Sequence, residues 1–270
     1  MRQLLIFVKY PTPGRVKTRL AASVGHRAAS EIARACTELT LERLMPFREE
    51  AILCVDPPDA LNATASWLGS DWSLRPQQGT TLGERLVEAT GHAFAQGASR
   101  VGVMGTDSPW LKPHDLEVAF DVLERIPLTM GPTEDGGYYL IGLSRPAPSL
   151  FDGIPWSTTS VYTETLARAS LLGVAVQPLP LGYDLDRVDD VQRFLTEART
   201  AASLQHPNVV RVFDAGEDEG LHYLVMEWVD GANLATVVAR EGPLPMPRAR
   251  DLLRQAAAAD RPSSRPETSG

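Results

Sequence analysis

Asp107 stands just beyond a short apolar run, in the stretch RVGVMGTDSP that occupies positions 100–109. An apolar run too short for a helix, closed by Gly105 and followed at once by a carboxylate, is the pattern of a buried strand that delivers an acid to its carboxyl end. Ligands gather outside the carboxyl ends of strands in open α/β sheets, so Asp107 is a candidate to grip a divalent ion and the phosphates it carries. Asp is also a preferred turn and cap residue, and a purely structural role beside Ser108-Pro109 is the alternative. Asp184 and Asp186 lie one residue apart on an extended segment and therefore point the same way, so they can add oxygen ligands to an ion held by Asp107. A third acidic position, Asp135, adjoins the pair Gly136-Gly137. That pair either forms a tight turn into the next strand or lets the backbone approach a substrate closely.

Positive charge collects at one place. Arg15, Lys17 and Arg19 put three cations into five positions, directly after the first apolar run and the turn residues Pro11, Pro13 and Gly14. A cationic loop in that position is where a polyphosphate would sit, although a solvated basic turn has the same composition. It is not a Walker A loop, because the second glycine of G-x-x-x-x-G-K-[ST] is missing. Farther on, QGTTLGERL places Thr80 or Thr81 before Glu84 at capping-box spacing. A well-capped helix explains this stretch; a helix start with free N–H groups can also receive a base or phosphate.

The 270 residues carry a formal net charge of −8, with 43% hydrophobic and 22% charged residues. Such a balance suits a globular protein and argues against a nonspecific binder of nucleic acid, so bound phosphate must be met by a local cation cluster. Cys36 and Cys54 are the only cysteines, one in a helical pattern and one in an apolar strand, which indicates buried thiols rather than a disulfide or a zinc site. No apolar run reaches membrane-spanning length, so a cytoplasmic protein without a membrane span is expected.

These residues are carried by alternating elements. Strands are expected at 4–8, 51–55, near Leu74, at 100–104, 128–131 and 138–143, with helices at 28–45, 61–68, from Thr80 or Thr81, and from Leu116 to Leu123. A further helix should begin among the hydroxyls of 157–160 and end at Gly173, and 174–181, broken by prolines, reads as an edge strand. Asp189 and Asp190 suit the first turn of a last helix. Strands and helices alternate at βαβ spacing, which predicts a mostly parallel sheet covered on both faces, with the strand at 138–143 running against the rest.

Taken in order, FVKYPTPGRVKTRLA, LGERL, GTDSP, GPTEDGGYYLIGL, IPWSTTSVYTETL and DLDRVDDV resemble a bacterial family of nucleotide-sugar-transferase-like proteins, associated with radical-SAM proteins and named for arsenosugar biosynthesis glycosyltransferases. The resemblance covers roughly residues 3–195 and implies a GT-A fold, a Rossmann-like α/β sandwich similar at a distance to phospholactate guanylyltransferases and molybdenum cofactor nucleotidylyltransferases. It implies that Gly14, Arg15, Lys17 and Arg19 bind a nucleotide, with Gly83, Glu84 and Arg85 beside it. Asp107, Asp184 and Asp186 would hold Mg²⁺ or Mn²⁺. Asp135, the nearest candidate for a general base, would line the acceptor side with Gly136, Gly137, Trp156, Ser157 and Thr158. The chain departs from the family at Thr80-Thr81, where an acid is usual, and at Val188, often a proline.

A second resemblance starts where the first stops. Glu197 and the stretches LQHPNVVRVFD and LHYLVMEWVDG look like a bacterial Ser/Thr protein kinase from its C-helix to its hinge. No Gly-rich loop with V-A-I-K precedes Glu197, and neither H-R-D nor D-F-G follows Gly231, so an inactive, truncated kinase-like segment is expected at 196–255 and a disordered tail at 256–270. The leading expectation for 1–195 is a metal-dependent glycosyltransferase that takes a nucleotide-sugar and a small-molecule acceptor. The alternatives are a nucleotidyltransferase that releases pyrophosphate from an NTP, and a noncatalytic nucleotide-binding regulator or scaffold.

Overall fold

Leu4, Ile6 and Val8 alternate with Leu5 along β1 (Arg2–Lys9), and both sets are fully buried, so this strand has a protein layer on each face. The first set packs with Leu53, Phe47 and Phe120, the second with Cys54, Val103 and Leu86. The structure, a computed structural model, describes residues 1–69, 71–202, 212–218 and 221–226, with positions 242, 246, 248 and 250.

After β1 come α1 (Thr18–Val24), α2 (His26–Arg43), β2 (Ala51–Asp56), α3 (Leu61–Leu68), β3 (Ser73–Pro76), α4 (Leu82–Ala95), β4 (Arg100–Met104) and α5 (Pro113–Val122). β5 (Leu128–Pro132), β6 (Tyr138–Leu143), α6 (Val161–Leu171), β7 (Val176–Pro178) and α7 (Val188–Ala202) follow. Seven strands form one sheet in the order β3-β2-β1-β4-β6-β5-β7, parallel except for β6, which runs against both β4 and β5. Apolar residues of α2, α3 and α5 cover one face and those of α4 and α6 the other. The expected α/β sandwich with one reversed strand and a proline-bearing edge strand is the fold observed.

Three local expectations need correction. The basic loop ends sooner than expected, because Thr18 and Arg19 already open the helix α1, which the sequence pattern did not reveal. The helix expected at 28–45 runs His26–Arg43, and a separate 3-10 turn, Met45–Glu50, takes over where Pro46 cannot continue an α-helix. Ser160 is the N-cap residue of α6, but its side chain makes no cap hydrogen bond; Thr158 Oγ1 accepts instead from Ser160 N at 3.4 Å.

The chain divides into two compact units, Met1–Val191 and Gln192–Gly270. In the second, β8 (Val212–Asp218) and β9 (Leu221–Met226) pair antiparallel. The expected disordered tail at 256–270 and most of the kinase-like segment lie outside the described residues. No helix among the described residues is long and apolar enough to cross a membrane.

Candidate active site

Because β1 connects toward β2 on one side and has β4 as its other neighbour, the strand order reverses between β1 and β4. The carboxyl ends of strands flanking such a reversal open a crevice. Here it is a cleft of about 570 Å³ into which Lys17, Asp107, Asp184 and Asp186 project at one end and Asp56 and Arg85 at the other.

The acid end is assembled from three separate parts of the chain. Asp107 follows β4. Its backbone carbonyl accepts from Leu185 N at 2.9 Å, which locks the late segment 182–186 onto the β4 loop. Trp110 fastens the same segment by donating its indole N–H to Tyr183 O at 2.6 Å while its ring stacks on Tyr183. Ser108 then donates its hydroxyl to Asp184 Oδ1 at 2.6 Å. Lys17 enters from the β1–α1 loop. Its ammonium lies 2.6 Å from Asp107 Oδ1, 2.8 Å from Leu185 O and 3.9 Å from Asp186 Oδ1. Arg19 bridges Asp186 at 3.4 Å and Asp135 at 3.6 Å across the mouth.

Carboxylates so close together, with one of them buried, resist ionisation. Burial, and then the neighbouring Asp107, push Asp184 up to about 7, and the same two causes raise Asp186. For Asp184 the folded-state value exceeds the unfolded one near 4, so the folded protein holds the proton more tightly. Its contribution to stability is therefore most favourable at acid pH and is lost as pH rises through the window from about 4 to about 7. Asp184→Asn keeps an oxygen for Ser108 and removes that loss. It should stabilise the ligand-free protein by about 1–3 kcal/mol at pH 8 and hardly at all near pH 4, with thermal melts at the two pH values as the check. Equal melting points for both proteins at pH 8 would show that ionisation of Asp184 is not costly.

The expected site residues divide into two groups. Lys17, Arg19, Arg85, Asp107, Ser157, Asp184 and Asp186 line the cleft. Asp135, with Arg19, Asp184 and Asp186, lines a second cavity of about 360 Å³ that shares this acid wall. Asp135 Oδ1 is occupied by Thr133 Oγ1 at 2.7 Å and Gly137 N at 3.1 Å, so this carboxylate shapes its own turn. Gly14 and Arg15 are exposed and line neither cavity. Glu84 is held in the capping box with Thr81, and its Oε2 also accepts from Thr80 N at 2.7 Å. Gly83 serves the packing of Trp156, since a Cβ there would lie 2.8 Å from the indole nitrogen. Gly136 lies against the backbone of Thr159, and Thr158 donates to Pro155 O at 2.7 Å. The glycines, Arg15, Glu84, Trp156 and Thr158 therefore surround or support the cleft without lining it.

The metal expectation also needs a correction of geometry. Among the described residues no three His, Cys, Asp or Glu side chains are arranged to hold an ion. Asp107, Asp184 and Asp186 do gather, but the Lys17 ammonium takes Asp107 Oδ1 and Ser108 takes Asp184 Oδ1. Donor chemistry nevertheless fits a hard divalent cation: the donors are all carboxylate oxygens, drawn from Asp107, Asp184 and Asp186 around one end of the cleft.

Asp56 and Gln77 were not foreseen. Asp56 ends β2 and pairs with Arg85 at 3.0 Å, and Arg85 also donates to Gly79 O at 3.1 Å and Gln77 Oε1 at 3.3 Å. Asp56 could have been found by the same strand-end rule that singled out Asp107, because parallel strands end on one edge.

Two families of known proteins match successive parts of the chain. A family model described as an uncharacterized protein conserved in bacteria (DUF2064) matches residues 41–158, and a protein tyrosine and serine/threonine kinase model matches 160–261. The structure of a candidate nucleotide-diphospho-sugar transferase from Desulfovibrio desulfuricans G20 is 36% identical, covers 72% of this chain and 85% of its own, and superposes with a TM-score of 0.68. The serine/threonine-protein kinases PrkC of Bacillus subtilis and PknB of Mycobacterium leprae are 38% and 46% identical over 82 and 68 residues. Those matches take in 30% and 24% of this chain, and the chain spans only 12% and 11% of those kinases. The kinase match begins before α6, although residues 160–191 are built into the first unit, where they supply Asp184 and Asp186. With 36% identity over most of the solved relative, the chain belongs to the DUF2064 family of nucleotide-diphospho-sugar-transferase-like proteins, joined in one polypeptide to part of a serine/threonine-kinase domain.

Proposed function

We propose that the first unit transfers a sugar from a nucleotide-diphospho-sugar to a small-molecule acceptor. The observation that carries this reading is the polarity of the cleft: Lys17, Arg19 and three carboxylates at one end, and a guanidinium fixed by Asp56 beside Leu82 and Leu86 at the other. The nucleoside lies along Leu82, Leu86 and Arg85, which leaves the diphosphate at the acid end. Lys17 and Arg19 bind its oxygens there. Asp107, Asp184 and Asp186 would hold a divalent ion, whose chemistry when bound is to neutralise the charge that develops on the leaving nucleoside diphosphate. The acceptor enters from the second cavity, where the shared acid wall brings it to the same reacting centre. Asp135 orders the turn at that entrance.

A thermal-shift panel of nucleotide-sugars and NTPs, with and without Mn²⁺, tests this on the full chain. One nucleotide-sugar should raise the melting temperature by roughly 5 °C or more at saturating concentration. That nucleotide-sugar should then be split on addition of acceptor, without release of pyrophosphate from any NTP. Pyrophosphate release with inert nucleotide-sugars would replace the proposal by a nucleotidyltransferase, and binding with no turnover of either would leave a noncatalytic nucleotide binder. Kinase activity is not part of the proposal. Glu197, aligned with the C-helix glutamate of kinases, pairs with Arg193 of its own helix at 3.1 Å.

A further inference from the structure

Lys17 is placed in an unusual way for a surface-loop lysine. Its backbone is left-handed, with φ 42 and ψ 49, a conformation that residues with a Cβ adopt only when their surroundings hold them there. That bend turns the side chain inward at the start of α1, and only 3% of it is exposed. Its ammonium donates to Asp107 Oδ1 and Leu185 O, with Asp186 Oδ1 3.9 Å away. The Asp107 carboxylate 2.6 Å away compensates the buried ammonium. The residue is thus a full positive charge, built into the acid cluster at the oxygen a divalent ion would use.

The charges around it do not balance. Asp107, Asp135 and Asp186 pair with only two cations, Lys17 and Arg19, and Asp184 beside them adds a fourth carboxylate whose proton an entering cation would displace. A divalent cation would make up the difference, yet it cannot share Asp107 Oδ1 with an ammonium at 2.6 Å. Moving Lys17 aside in the free protein would leave a buried ammonium without its anion, which is strongly disfavoured. Once a diphosphate lies in the cleft, its oxygens offer the ammonium a new anionic partner, and a compact charge on a flexible four-carbon stem can reach it.

We propose that Lys17 is a displaceable resident cation that keeps the divalent ion out of the Asp107 site until diphosphate arrives, so that ion and diphosphate bind cooperatively. This deepens the transferase reading and rests on it only for the identity of the diphosphate. Coupling of this kind is reciprocal: whatever factor diphosphate adds to metal affinity, metal adds to diphosphate affinity.

The test measures Mn²⁺ bound to the full chain by equilibrium dialysis, at matched free Mn²⁺, with and without inorganic pyrophosphate as the probe. Wild type should bind Mn²⁺ weakly alone, and pyrophosphate should raise its affinity roughly tenfold. In Lys17→Met, which keeps the length of the side chain and drops the charge, Mn²⁺ alone should bind at least about fivefold more tightly than in wild type, and the gain from pyrophosphate should shrink. Arg48→Met, which removes a partly exposed cation paired with Glu49 in the 3-10 turn Met45–Glu50, outside both cavities, controls for general charge and should match wild type. Lys17→Gln, which retains a hydrogen-bond donor toward Leu185 O, repeats the measurement if Lys17→Met does not fold. A gain of less than about fivefold in both variants, or a wild-type affinity unaffected by pyrophosphate, overturns the proposal. Because Mn²⁺ alone is the first readout, a failed nucleotide-sugar panel would sink the transferase reading and leave the result for Lys17 standing.

Discussion

Asp107→Asn should lower turnover of the preferred nucleotide-sugar by about 100- to 1,000-fold, the loss typical when a charged group at a reacting diphosphate is neutralised. The carboxylate is half-exposed and its backbone carbonyl, not its side chain, anchors Leu185, so that anchor survives removal of the charge. Lys17 would keep an oxygen acceptor in the asparagine and the carbonyl of Leu185, while losing its nearest anion in a site that is 3% exposed. A stability loss of about 1–3 kcal/mol is therefore expected alongside the far larger loss of rate. The measurement is turnover per folded molecule, with near-ultraviolet circular dichroism to count folded protein. A variant that keeps more than about a tenth of wild-type turnover would remove Asp107 from the reacting centre.

Gly136→Ala should be the most damaging single-atom change to stability, at about 3–5 kcal/mol. At φ +87 this residue occupies a region that side chains avoid, and a Cβ built there would lie 1.9 Å from Thr159 O, which is backbone and cannot rotate away. The same glycine accepts from Tyr162 N at 2.9 Å, so any shift also loosens the start of α6. Gly173→Ala supplies the comparison. It has φ +64 but nothing within 4 Å of the added carbon, so only the backbone penalty of about 1 kcal/mol applies. Urea titration of both variants would show the gap. If Gly136→Ala unfolded at the same urea concentration as Gly173→Ala, the contact with Thr159 would not constrain the turn. Because the turn carries Asp135 and abuts the segment of Ser157, nucleotide-induced stabilisation should fall as well.

Local pattern along the chain set the order and kind of most elements in the first unit, α1 being the exception. Apolar alternation and short buried runs report burial locally, and the Thr81–Glu84 box closes within one helical turn. Asp107 was legible for the same reason: it needs only its own strand to place it at the carboxyl edge. Local pattern also suggested that Asp184 and Asp186 share a side, but it contained nothing about what holds them. That came from contacts between distant parts of the chain, Leu185 N on Asp107 O and Trp110 on Tyr183. The basic loop shows the limit most clearly. Arg15, Lys17 and Arg19 look alike as a cluster of charge, yet the left-handed turn at Lys17 sends one ammonium inward to a carbonyl 168 residues away and leaves Arg15 in solvent. The Asp56–Arg85 pair and the need for glycine at 136 are of the same kind. Charge and periodicity are properties of neighbours in sequence. Which cation meets which carboxylate depends on the sheet order, which brings β1 beside β4 and closes loops that no local pattern encodes.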